Sequence, residues 1–448
     1  MPSRRDFLIR GLAAGVLMTI NVPVFARNGA RHVKGATAIT QVFGDGIRLI
    51  GVAVEYSAPI NGADLSAASF HIAGRTVTGA FAGTAADIGA RAAQGRFVII
   101  TLSPEDQNAP LAEKIQPQGG EQKAPAGSGG KGPGKAGDIP VYDTVYKTAV
   151  ASVVQSGPIT LSDGQVIAAD SQPLQTTQVK NPIVDDFQQL EFHDPQTGKS
   201  LRYNLFIPKN DDAGESYPLV LFMHDAGATS DVTRTTLYQG LGAIAWASPA
   251  DQARRPCFVL APQYAEIIAD DDSHTSAMLD TTINLIRSLT DQYRIDRNRL
   301  YTTGQSGGCM MSIAMDIRYP TFFAASLLVA GQWDAALTKP LARQKLWIVV
   351  SQDDAKAWPG QDAITAVLEK EGAKISRAVW DGNWTAEQFR AAFDKIDVAN
   401  SPINYIALRK GTVIPEHQSA EGASGHRNTW RIAYTIEPIR EWIFRQQR

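Results

Sequence analysis

The sequence predicts two unlike architectures in one chain. An all-β sandwich spans about 36–180, and an α/β domain follows over 186–448, with a mostly parallel sheet and helices on both of its faces. Three observations predict this. Short alternating or wholly apolar runs, separated by Gly, Asn, Asp and Pro, fill the first part. From about Asp186, apolar runs alternate with helical stretches, the pattern of a parallel sheet covered on both sides. Between one such run and the next helical stretch stands Gly304-Gln305-Ser306-Gly307-Gly308, a Gly-x-Ser-x-Gly turn.

The 448 residues fit two or three domains. Near the start, Ser3-Arg4-Arg5-Asp6-Phe7-Leu8 has the twin-arginine form, and an apolar stretch follows from Gly11 to Val24. That stretch is too short, and too rich in Gly and Ala, for a stable bilayer span. Val24-Phe25-Ala26 fits a small-residue cleavage site, so residues 1–26 read as an export signal. The mature protein is expected in a bacterial periplasm or outside the cell, delivered folded by the twin-arginine export machinery.

In the β region, Ile47–Val54, Phe70–Ala73, Arg96–Leu102 and Lys147–Val154 read as strands. Several short strands with turn signals suggest a sandwich of immunoglobulin type, although no cysteine pair marks one. The domain is interrupted over about 107–138. The stretch from Gln116 to Gly134 has almost no large apolar residue to offset its chain entropy, so a disordered insertion is expected there.

In the α/β region, Leu201–Ile207 reads as an edge strand. Pro218–Met223, Phe258–Ala261, Arg299–Thr303, Ala325–Val329, Lys345–Val350 and Asn404–Leu408 read as buried parallel strands. Helices are expected over Ser276–Tyr293, Cys309–Arg318, Gln361–Lys370 and Thr429–Arg445.

Cys257 should open one strand, and Cys309 should lie just past the opposite edge of the sheet. A strand of that length separates the two by roughly 15 Å, beyond disulfide reach, so two free thiols are expected. No Cys/His cluster has metal-ligand spacing, and no cofactor is expected. A net charge of -2 gives no electrostatic case for nucleic acid or an anionic membrane surface. Oligomeric state is left open.

The Gly-x-Ser-x-Gly turn at a strand-to-helix junction is the nucleophile elbow of the α/β-hydrolase fold. Ser306 is therefore the candidate nucleophile, and an ordinary helix N-cap is its competing reading. In this fold the acid and then the histidine follow the serine in chain order. Asp353 and Asp354 stand just past the strand Lys345–Val350, and only one of them can face the histidine. His417 and His426 follow the last strand. His426 is preferred, because it sits in a loop leading into the terminal helix. The histidine would take the proton of Ser306 and return it to the leaving alcohol, with the aspartate holding the imidazole. For an oxyanion hole, one N–H should come from Gly307. The other should come from the loop His224-Asp225-Ala226-Gly227, with Ala226 preferred and Asp225 the alternative. His224 is expected to pack beneath the hole. Asp270-Asp271-Asp272 invites a metal reading, but capping of the next helix is favoured. Trp333 and Trp358 fall on the active-site edge as pocket-wall candidates, and with Trp246 they are expected to pack rather than stack on a ligand.

Leu219–Gly227, Asp296–Gly308 and Asp353–Gly360 resemble bacterial α/β-hydrolase esterases with an N-terminal immunoglobulin-like domain, relatives of polyhydroxybutyrate depolymerases and prolyl-oligopeptidase-like hydrolases. The resemblance implies serine esterase chemistry at Ser306, Asp354 and His426. It selects Asp354, because relatives carry Gly-Asp before a Lys-Ala-Tyr-Pro-Gly stretch; here Asp353 replaces that glycine. The loop at His224 is similar to a His-Gly-type oxyanion loop, with Asp225 where Gly is usual. The leading expectation is an exported serine carboxylesterase of small to medium acyl esters. A serine peptidase, a polyester (polyhydroxyalkanoate) depolymerase and an inert envelope-binding protein are its competitors.

Overall fold

The computed structural model describes residues 32–115, 134–209 and 214–448. The export-signal reading falls outside these residues, and so does nearly all of the low-complexity stretch. The first part is a β-sandwich. Its larger sheet runs in the order Gln178–Lys180, Val33–Phe43, Gly46–Asn61, Gln94–Leu102, Val77–Gly83. A smaller sheet orders Asp170–Gln175, Ser152–Gln155 and Phe70–Ile72. Alternation sets the packing, as Val52, Val54, Val98 and Ile100 turn one row of side chains into the core.

The expected interruption over 107–138 is narrower than the composition implies. Leu49 and Leu111 donate to the carbonyls of Ala109 and Ile47, and Ala112–Lys114 pairs antiparallel with Thr144–Tyr146. Ladder hydrogen bonds hold these residues although few apolar side chains mark them. On the far side, Gly134–Tyr142 crosses to the second domain as an arm.

The second part is a nine-stranded sheet. Its order is Gln188–His193, Ser200–Phe206, Phe258–Gln263, Tyr217–Met223, Ile295–Gln305, Ala325–Val329, Leu346–Ser351, Ile403–Leu408, Ile375–Trp380. The first two strands are antiparallel to their neighbours, and the rest run parallel. Tyr217–Met223 is buried at every position, which is why it reads as one apolar run. The strand expected at the edge, Leu201–Ile207, is instead covered by Gln188–His193. That outer strand has no fully buried residue, so it leaves no apolar run to read. The opposite edge, Ile375–Trp380, buries a single residue and leaves no such run either.

The helices lie at Met278–Gln292, Gly307–Arg318, Ala357–Lys370 and Ala386–Asp397, among shorter ones. The last of these lies outside the helices expected from the sequence. Its signal is the capping box in which Thr385 and Gln388 each bond the other's backbone N–H. The single terminal helix expected over Thr429–Arg445 is two, Ser424–Ala433 and Glu437–Phe444. Pro438 sits in the first turn of the second, where its missing N–H costs nothing.

The two parts share a continuous buried apolar cluster that runs from Val42, Ile47 and Leu111 to Leu237, Ala243 and Trp246. The turn between the first two sandwich strands lies against the helix Ser424–Ala433. A Cβ on Gly44 would fall 2.6 Å from Cγ of Arg431. Both cysteines are free and buried, as expected, and burial pushes the Cys257 thiol up to about 12. Among the described residues no helix is long and apolar enough to cross a membrane.

Candidate active site

The site begins with the turn at Ser306. Strand Ile295–Gln305 ends, Ser306 takes φ 51° and ψ -116°, and the helix Gly307–Arg318 starts immediately. A left-handed φ at a non-glycine residue costs on the order of 1–3 kcal/mol, so the surroundings must enforce it. The enforcement is close packing. A Cβ on Gly308 would lie 2.0 Å from the Met223 carbonyl oxygen, and one on Gly304 would lie 2.3 Å from the Gly308 carbonyl carbon. The helix start is thereby pressed against the neighbouring strand, and Ser306 stands out of the turn. Its hydroxyl makes no capping bond to the helix.

That hydroxyl lies 2.8 Å from Nε2 of His426, and Nδ1 of His426 lies 2.5 Å from Oδ2 of Asp354. The structure thus brings together the three residues read from the sequence, in the order of a hydrogen-bonded triad. His426 is not in a loop. It occupies the first turn of the helix Ser424–Ala433, and Trp430, one turn on, meets its ring edge-to-face at 5.0 Å. Gly425 allows this helix to approach, since a Cβ there would lie 2.4 Å from the Asp353 carbonyl oxygen. The other Asp354 oxygen accepts the N–H groups of Ala357 and Lys356, which fixes the carboxylate. Burial raises the Asp354 carboxyl. Its hydrogen bonds from His426 and these two N–H groups outweigh that and hold it below the usual carboxylate value. Asp353 points elsewhere and accepts the Gly411 N–H at 2.7 Å. His417 is exposed and lies outside this cluster.

Above Ser306, the Ala226 N–H lies 3.6 Å from where a Gly307 side chain would begin. Neither the Gly307 nor the Ala226 N–H donates to a protein acceptor among the described residues. Asp225 supports this arrangement with its side chain. One carboxylate oxygen accepts the Gly227 N–H at 2.9 Å, and the other accepts from the Gln305 amide at 2.9 Å. Asp225 therefore ties the loop His224–Gly227 to the residue before Ser306. His224 packs beneath, as expected. Its Nε2 accepts the Tyr264 N–H at 3.0 Å, and burial lowers its pKa.

The cavity beside Ser306 has a volume of about 260 Å³ and is lined by Ser306, His426, Ala226, Ala269, Asp271 and Gln332, among others. Trp333 and Trp358 do not line it. Trp333 borders a neighbouring cavity, and Trp358 turns onto the hydrophobic core from the start of its helix. Met310, Gln332 and Lys356 occupy the wall instead, and no local pattern marks them.

Asp270 belongs to this wall. One oxygen accepts the N–H groups of Asp272 and His274, and the other accepts the Ala136 N–H at 3.0 Å from the arm of the sandwich domain. Gly137 and Ile267 take part in further backbone bonds between that arm and this loop, and the Tyr142 hydroxyl reaches the Ala265 carbonyl. Burial raises the Asp270 carboxyl, and the three N–H donors outweigh it. Ligand atoms of Asp270, Asp272 and His274 lie within 4.8 Å of one another, but the buried Asp270 carboxylate is committed to backbone. The capping role expected here is not the one found. The helix Met278–Gln292 has no side-chain cap at its start, and Asp270 holds its own loop and the arm.

Comparison with known proteins agrees with this architecture. Residues 35–168 match the esterase Ig-like N-terminal domain family, and residues 201–338 match the esterase PHB depolymerase family. A thermostable esterase of known crystal structure superposes with a TM-score of 0.73 at 26% identity, covering 93% of this chain and 100% of that one. Acetylxylan esterase A of Emericella nidulans is 44% identical over 54 residues, which is 12% of this chain and 16% of that relative's length. The chain therefore has the two-part plan of α/β-hydrolase esterases with an N-terminal immunoglobulin-like domain.

Proposed function

We propose that the protein is an exported serine carboxylesterase that hydrolyses small acyl esters through a covalent acyl-enzyme. One observation carries the reading: His426 bridges Ser306 Oγ and Asp354 Oδ2, beside the Gly307 and Ala226 N–H groups, which have no protein acceptor among the described residues. In the reaction, His426 Nε2 takes the Ser306 proton as Oγ bonds to the ester carbonyl carbon. The negative charge on the carbonyl oxygen falls between the Gly307 and Ala226 N–H groups. Collapse breaks the bond to the alcohol, which leaves with the proton from His426. Water then repeats the sequence on the acyl group, releasing the acid and restoring Ser306. Asp354 stays ionised and holds the Nδ1–H tautomer throughout.

The cavity of about 260 Å³ sits below the roughly 300–1,000 Å³ of typical ligand pockets, which favours short acyl groups. Its wall carries the polar groups of Asp271, Gln332 and Lys356 within a mostly apolar lining. The test is hydrolysis of p-nitrophenyl esters from C2 to C12 by the mature protein and by Ser306→Ala. Short esters should be cleaved by the first and not by the second. Protein unreactive toward every ester would end the reading. For export, N-terminal sequencing of protein recovered from the periplasm should begin near Arg27.

A further inference from the structure

A second cavity, of about 350 Å³, adjoins the catalytic one, and the two share Asp271, Met310 and Gln332. These shared residues form a wall made from two loops and the helix Gly307–Arg318. Gln332 Nε2 donates to Asp271 Oδ1 at 3.0 Å and sits 3.8 Å from the Met310 sulfur. The other Asp271 oxygen pairs with Lys356 Nζ. Gln332 is braced from behind, because a Cβ on Gly360 would come within 2.5 Å of its own Cβ. On the far side of the second cavity, the Asp334 N–H donates to Ser273 Oγ, joining the same two loops again.

We propose that Asp271 and Gln332, pinned by Lys356, are a partition that sets acyl-chain length, and that the chamber behind them is an acyl extension site. The proposal rests on the ester-hydrolase reading of Ser306. The direction follows from the chemistry, since the leaving alcohol must stay within reach of His426. No residue of the His426 helix borders the second chamber, so that chamber lies at the acyl end. Its inner surface can take methylenes. Met310 and Trp333 are buried, whereas Asp272 and Asp334 are exposed at the rim. The partition itself is polar and partly solvated, with side-chain exposures of 50% for Lys356 and 26% for Asp271. Such pairs contribute little to stability, so the wall can be changed without unfolding the domain.

The experiment compares kcat/KM for p-nitrophenyl octanoate with that for the acetate, in wild type, Gln332→Ala and Asp271→Ala. Within one preparation, the ratio cancels the active fraction. The ratio should rise about tenfold or more in either variant, the worth of roughly two newly buried methylenes. An unchanged ratio in both variants, with acetate still turned over, overturns the partition and leaves the esterase reading intact. Variants dead toward every ester also overturn it, because a dividing wall is dispensable for acetyl transfer. Wild type inactive on all esters defeats the esterase reading first.

Discussion

Asp316 lies on the helix Gly307–Arg318, 1% exposed, and one of its carboxylate oxygens has no hydrogen-bond partner among the described residues. Burial pushes its pKa up to about 7, opposed only by a hydrogen bond with Ser326. The sign follows from proton binding. Between the unfolded value of 3.8 and the folded value of about 7, the native state holds a proton that the unfolded chain has released. Stability therefore falls as pH rises through that window, by about 1.4 kcal/mol for each pH unit, or roughly 4 kcal/mol in all. Asn at this position cannot ionise, so Asp316→Asn should escape the loss. The assay is the melting temperature of both proteins at pH 4.5 and pH 8. Every other titrating group is common to the two proteins and cancels in the difference. The interval from pH 4.5 to pH 8 takes in about 3 kcal/mol of that loss, so at about 2 °C per kcal/mol for a domain of this size the variant should gain on the order of 6 °C relative to wild type between the two pH values. A difference that stays constant with pH would refute the argument.

Other predictions concern the site and its supports. Gly308→Ala forces a Cβ to within 2.0 Å of the Met223 carbonyl oxygen, so the helix start must shift, at a cost of about 1–3 kcal/mol or more. Thermal melting should show the drop, and an unmoved midpoint speaks against so close a contact. Asp225→Ala removes the acceptor of the Gly227 N–H and one of the two partners of the Gln305 amide, loosening the Ala226 donor. Because outright loss of an oxyanion donor costs about 10²–10³ in kcat, loosening should cost roughly tenfold. Steady-state kinetics check this, and kcat at the wild-type value would remove Asp225 from any positioning role. Asp270→Ala removes the acceptor of the Ala136, Asp272 and His274 N–H groups, a loss of about 0.5–1.5 kcal/mol for each bond where water replaces the carboxylate. The melting temperature should fall and KM should rise as the wall relaxes. A change in neither means that the arm does not shape the cavity.

The site is legible in the sequence where chemistry and chain order restrict the choice. Ser306 announces itself through its flanking glycines, Asp353–Asp354 stand just past a buried strand, and only two histidines follow Ser306. Central strands such as Tyr217–Met223 are legible because burial on both faces demands an unbroken apolar run. Edge strands are not, since Gln188–His193 and Ile375–Trp380 bury only part of one face. Trp333 and Trp358 look like wall of the Ser306 cavity in the sequence, but Trp333 lines the adjoining chamber and Trp358 packs on the core, because position in the chain says nothing about which way a side chain turns. The Asp225–Gln305 and Asp270–Ala136 links join residues 80 and 134 positions apart, and each depends on the finished fold. The stretch around His426 reads as a loop leading into the terminal helix, whereas the structure places it in the first turn of a helix and uses Gly425 for close approach.

The central claim is that Ser306 is the nucleophile and that His426 activates it. The most direct test is fluorophosphonate labelling of the mature protein, read by intact mass and peptide mapping, alongside Ser306→Ala and His426→Ala. The account predicts one adduct per chain on Ser306, none in Ser306→Ala, and labelling slowed by orders of magnitude in His426→Ala. An adduct on another residue, or undiminished ester hydrolysis by Ser306→Ala, would contradict it.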